Sequence, residues 1–162
     1  MHERAGPTGG GVRRIVTGHN GAGESIIVED ALLPGTALAE DAGRSDVSFF
    51  HLWATEEMPV PLDDVALPRQ RAGCATTIVG NGTGSVLRIG VLAAGARSPM
   101  HRTGSLDYGI LLEGECEMEL DSGEVRTLHA GDVVIQRGTN HVWHNRSSAP
   151  CRFAWILLDA RQ

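Results

Sequence analysis

From residue 84 onward the chain alternates apolar and polar positions in short runs cut by turn residues. This pattern predicts strands over 85–93, 106–112, 115–120, 125–128, 132–136, 141–145 and 152–158. The clearest run is Glu115 to Asp121, where acids take one parity and Cys116, Met118 and Leu120 the other. On a pleated strand the acids then face water and the second set faces inward. Asp121-Ser122-Gly123 supplies a hairpin turn after it. Phe153, Trp155 and Leu157 alternate with Ala154, Ile156 and Leu158, all apolar, which predicts a last strand buried on both faces.

The first third is less regular. Val12 to Thr17, Ser25 to Val28 and Ser48 to Thr55 read as further strands that extend the sheets of the same domain. Residues 1–11, with four glycines and a proline, have no apolar periodicity and are expected to form a flexible N-terminal tail. Pro59 to Gly73 reads as a long surface loop with one helical turn around Asp63 to Ala66. The expected fold class is all-β, a sandwich or barrel, with residues 12–162 as a single domain. The 21 glycines agree, since glycine interrupts helices and serves tight turns.

Charge and cysteine content narrow the partners. Fourteen Lys plus Arg against twenty Asp plus Glu gives 14 − 20 = −6, which favours neither nucleic acid nor an anionic membrane. Three cysteines, Cys74, Cys116 and Cys151, with no C-x-x-C spacing suit neither a disulfide framework nor a structural zinc knot. No long apolar span or signal-peptide core stands in the sequence, so a soluble, cytoplasmic protein is expected. Gly80 to Gly84 precedes a strand and opens no helix, so it reads as a hairpin loop and not as a phosphate cradle.

Candidate chemistry gathers in the strand-rich part. Gly95, His101, Thr103, Asp107 and Gly114 form one spaced set; Gly131, Gln136-Arg137-Gly138, His141 and Asn145 form a second. These two sets resemble the paired motifs of the cupin family over roughly residues 85–158, with core motifs at 95–145. In that family the positions matched by His101, Thr103 and Asp107 are usually His, His and Glu, and Gln136 stands where Pro is usual. The resemblance implies a double-stranded β-helix, or jelly-roll barrel, here with an N-terminal strand extension. It also implies a divalent metal, Fe, Mn, Ni or Zn, inside the barrel. His101, Asp107 and His141 would be its ligands and the catalytic residues, a set able to form a two-histidine, one-carboxylate site with open positions. Thr103 would hydrogen-bond Asp107 or a bound water. A decayed site is the alternative, in which the three groups form a buried hydrogen-bonded cluster or bind an organic ligand directly.

Parity places further residues around that site. Gly109 and Leu111 share the parity of Asp107, and Gly109 is expected to leave room there. Trp143 and Asn145 share the parity of His141, while His144 faces away and His51 reads as a packing residue. Thr103, Gly109, Leu111, Cys116, Met118 and Trp143 would line a small-molecule pocket, with Cys116 a core thiol and not a nucleophile. The resemblance implies an oxidoreductase or dioxygenase, or a cyclase- or isomerase-type step, on a hydrophobic oxygenated compound of aromatic or polyketide metabolism. A non-catalytic binding or sensing module is the alternative, and a homodimer is expected in either case.

Overall fold

A computed structural model describes residues 11–37, 46–55, 57–60, 62 and 84–161. Residues 1–10 of the expected tail, the helical turn at 63–66, most of the 59–73 loop, the 80–83 part of the hairpin loop and Cys74 lie outside the described residues. The described chain is built of strands: β1 Val12–His19, β2 Ser25–Leu33, β3 Thr36–Ala37, β4 Val47–Thr55, β5 Ser85–Leu92, β6 Ser105–Glu113, β7 Glu115–Leu120, β8 Val125–His129, β9 Val133–Arg137, β10 His141–His144 and β11 Cys151–Asp159. Among the described residues no helix is long and apolar enough to cross a membrane.

Two sheets share one core. The larger runs β3-β4-β5-β11-β6-β9, the smaller β10-β7-β8. Leu111, Phe153, Trp155 and Leu157 of the larger sheet and Cys116, Leu128 and Trp143 of the smaller are all buried in one apolar cluster. The alternation read from the sequence accounts for this. Along β6, Ser105, Asp107, Gly109 and Leu111 are buried while Leu106, Tyr108 and Ile110 are half-buried. On β7, Cys116 points into the core, and the acids on the other parity meet cations: Glu119 pairs with Arg97 at 2.9 Å and Glu117 with Arg146.

Two expectations need correction. β4 does extend the larger sheet through β5, but β1 and β2 pair only with each other as a separate hairpin. Arg14 ties that hairpin down, donating Nη1–H to the Leu52 carbonyl of β4 at 2.7 Å. Likewise β11 is fully buried on one face alone: Phe153, Trp155 and Leu157 are inside, whereas Ala154, Ile156 and Leu158 are half-buried, Ala154 against a second cluster of Phe50, Ile89 and Val91. A continuous apolar run does not reveal whether a second layer covers its outer face. Here that face continues onto β9, where Val133 and Ile135 are 58% and 52% exposed.

Candidate functional site

The backbone brings the two motif histidines together. Residues 96–101 run antiparallel beside β10: Asn145 N–H donates to Ala96 O, Ser98 N–H to Trp143 O, and His101 and His141 exchange both backbone bonds at 3.0 and 2.8 Å. That places their imidazoles with ring centroids 4.4 Å apart at an interplanar angle of 53°.

The tautomers follow from the partners. Nδ1 of His101 faces the Pro99 carbonyl and Nδ1 of His141 the Thr139 carbonyl, each at 2.9 Å. A carbonyl only accepts, so each Nδ1 carries a hydrogen, and in the neutral form of either ring Nε2 is the bare lone pair. His141 is 3% exposed, and burial holds its pKa below the ordinary imidazole value. The neighbouring His101 adds to that depression, against smaller opposing effects of the Thr139 bond and Asp107. At neutral pH His141 is therefore an uncharged base.

Asp107 lies close but is differently engaged. The Thr103 hydroxyl donates to Oδ2 at 2.7 Å and the Ser105 hydroxyl donates to Oδ1. The expected Thr103–Asp107 bond is therefore present, and Ser105, which sequence reading passed over, completes the cage. Ser105 shares the parity of Asp107 on β6, so the strand presents its hydroxyl to the carboxylate, while Thr103 reaches it from ahead of the bend at Gly104 that precedes the strand. Among the described residues no group of three His, Cys, Asp or Glu side chains is placed to hold a metal ion. The expected ligand set of His101, Asp107 and His141 is not assembled: the two imidazoles lie side by side while the carboxylate is taken by hydroxyls. This donor set does not fit the three-ligand metal site that the resemblance implied.

Aromatic rings form the wall behind the histidines. His141 meets Trp143 edge-on at 5.3 Å, and Trp143 in turn touches Phe153 at 5.1 Å and Trp155 at 4.9 Å. Trp155, absent from the expected pocket, explains Gly109. The two residues are register partners across β11 and β6, and a Cβ on Gly109 would stand 2.2 Å from Cζ3 of Trp155. The room expected above Gly109 is thus filled by the indole. Gly109→Ala should push that ring out of place and destabilise the fold by about 1–3 kcal/mol, as overpacking does. Thermal melting with near-UV circular dichroism checks this; an unchanged midpoint and aromatic spectrum would refute it.

The remaining expected pocket residues divide. Leu111 and Cys116 are wholly buried core. The Cys116 thiol is pushed up, first by the neighbouring Cys151 thiol and then by burial, so it stays protonated and is no nucleophile. Met118 is partly buried, and its sulfur lies 3.1 Å from Nε2 of Gln136. Gln136 itself, 2% exposed and directly opposite Asp107 across β6 and β9, is a buried polar side chain whose one signal in the sequence is its departure from the family's proline. His144 is half-buried on the opposite parity, as expected.

Comparison with known proteins agrees with the motifs and the barrel. The family model for the cupin domain matches residues 88–157. Phomopsin biosynthesis cluster protein C′ of Diaporthe leptostromiformis is 41% identical over 152 residues, covering 91% of this chain and 78% of that protein. The cupin-domain-containing oxidoreductase virC of Hypocrea virens is 36% identical over 159 residues, covering 93% of this chain and 79% of its own. Among solved structures, the polyketide cyclase RemF of Streptomyces resistomycificus superposes with a TM-score of 0.53 at 16% identity, covering 77% of this chain and 72% of that one. That last likeness speaks to the fold alone. Paired motifs, two-sheet barrel and relatives of this identity and coverage together make one assignment: the chain belongs to the cupin family.

Proposed function

We propose that this chain is a small-molecule enzyme of secondary metabolism, acting on a hydrophobic, oxygenated organic compound, with His101 and His141 as the groups that take and return protons. Relatives named as oxidoreductases and as proteins of a biosynthesis cluster support the oxidoreductase class and the metabolic setting. The observation that carries the reading is the pair of adjacent imidazoles whose Nδ1–H groups are both tied to backbone carbonyls, which leaves Nε2 of each neutral ring bare. Such a base, uncharged and partly desolvated, suits removal of a proton from a hydroxyl or from carbon next to a carbonyl. Trp143 offers an apolar wall for a ring or conjugated chain. Asp107, held by Thr103 and Ser105, fixes a negative charge beside His141 that favours the imidazolium formed when the base takes a proton. No step is assigned to a metal, because the donor set does not fit one.

Solvent-deuterium exchange tests this. Aromatic and polyketide-like hydroxy-ketones incubated with the protein in deuterated water should gain deuterium next to the carbonyl, as seen by NMR, and His141→Ala should abolish the gain. Tight binding without exchange by the wild-type protein would favour the second reading, a non-catalytic binding module. The caged Asp107, whose two oxygens are both taken by hydroxyls, is the observation on that side.

Self-association belongs to the same proposal. The outer face of β11, β6 and β9 carries Ile156, Leu158, Tyr108 and Ile110 half-buried beside the open Val133 and Ile135. An apolar face of this kind suits an isologous homodimer about a two-fold axis. Light scattering coupled to size exclusion should give twice the chain mass, and Ile135→Lys should return it to the monomer. A wild-type monomer at micromolar concentration would remove the dimer.

A further inference from the structure

A buried primary amide has an acceptor and two N–H donors to satisfy. Gln136 satisfies only the first well. Its Oε1 accepts the Thr139 hydroxyl, and the Thr139 backbone carbonyl in turn accepts Nδ1–H of His141, so the amide and the histidine are anchored by one residue. On the donor side, the contact of Nε2 among the described residues is the thioether of Met118 at 3.1 Å. This orientation of the amide is the one that makes a hydrogen bond at the sulfur; the reversed one would turn its carbonyl oxygen there and make none. A thioether is a weak acceptor on a flexible side chain that repacks easily. The fold thus holds a 2% exposed amide rigidly at one end and covers its donor end with the most movable apolar group available. Packing alone would be served as well by an aliphatic residue, which leaves no buried donor underused.

Resting on the function proposed above, we infer that the Gln136 amide is a specificity-determining donor: its Nε2–H receives a carbonyl oxygen of the substrate as Met118 swings aside. The bare Nε2 of His141 or His101 accepts a hydroxyl of the same molecule. The substrate class narrows to conjugated compounds with a carbonyl adjacent to a hydroxyl-bearing position. Exchanging a sulfur acceptor for an oxygen one is favourable in a desolvated site, and a compound lacking the carbonyl leaves the donor where it was.

Two probes of the same shape separate the outcomes: ortho-hydroxyacetophenone, and ortho-ethylphenol, which lacks the carbonyl oxygen. Titration calorimetry or quenching of tryptophan fluorescence should give the first about tenfold tighter binding to the wild-type protein, the order of one buried hydrogen bond. Gln136→Leu and the unbranched Gln136→Met should bind both probes alike, at the affinity of ethylphenol, with Gln136→Met guarding against misfolding of the branched variant. Met118→Leu should keep the preference, which a merely structural Gln136–Met118 contact would not allow. His141→Ala should weaken both probes together and keep their ratio. A preference that survives in Gln136→Met would overturn the inference and leave the proposed function standing; failure of the wild-type protein to bind either probe would overturn both.

Discussion

His141→Ala is expected to lower kcat/KM by about 10²–10⁴-fold, the range that a positioned general base contributes. Most of the loss should fall on kcat, because Trp143 and the rest of the wall are untouched, with a smaller rise in KM from the lost contact between Nε2 and the substrate hydroxyl. The wild-type profile carries a second signature. Burial and the neighbouring His101 hold the His141 pKa low, so the base is free over a wider acid range than an exposed histidine. Activity should therefore be retained as pH falls to about 6.5, the ordinary imidazole value, and be lost only below it. The same depression acts on stability. The unfolded chain binds a proton at His141 before the folded one does, so this contribution is full above the unfolded value and declines as pH falls through it. A variant that keeps more than about a tenth of wild-type kcat/KM would remove His141 from the chemistry.

Asn145→Ala is expected to cost the fold about 3–5 kcal/mol, the largest stability effect of any single change considered. Asn145 is fully buried, and the two hydrogens of its Nδ2 serve three carbonyls, those of Leu92, Ala93 and Ala149 at 3.1, 3.0 and 2.8 Å, one hydrogen being shared. Its Oδ1 accepts from the backbone N–H and the hydroxyl of Ser147 at 3.0 and 2.7 Å. One side chain thus fastens the end of β5 to the loop that leads from β10 to β11. Removing it strands several buried polar groups at once, each costing about 1–3 kcal/mol when unpaired. The melting midpoint should drop by roughly 10 °C. A shift under about 2 °C would show that water takes over these bonds.

Much of this was legible in the chain because strand parity is a local property. Alternation along Glu115 to Leu120 and Asp107 to Leu111 put the right side chains inward. Gly114 and Gly131, both in the motif frame, adopt φ of 81° and 100°, values that L side chains rarely take. The histidine pair also emerged, since its spacing belongs to the motif. What stayed hidden depends on register between distant strands. Nothing local pairs Trp155 with Gly109 or Gln136 with Asp107, yet the first fills the expected cavity and the second sets a buried amide opposite the carboxylate. The role of Asp107 was hidden for a different reason. A carboxylate at a ligand position looks the same in sequence whether it faces a metal or two hydroxyls, and only the placement of Thr103 and Ser105 decides.

Nitrogen-15 NMR of the histidine side chains across pH tests the central claim most directly, because all the proposed chemistry depends on bare Nε2 atoms. His101 and His141 should both show the tautomer with hydrogen on Nδ1, and His141 should remain uncharged at neutral pH and titrate below the ordinary imidazole range. Hydrogen on Nε2 of His141, or a charged His141 ring at pH 7, would contradict the account.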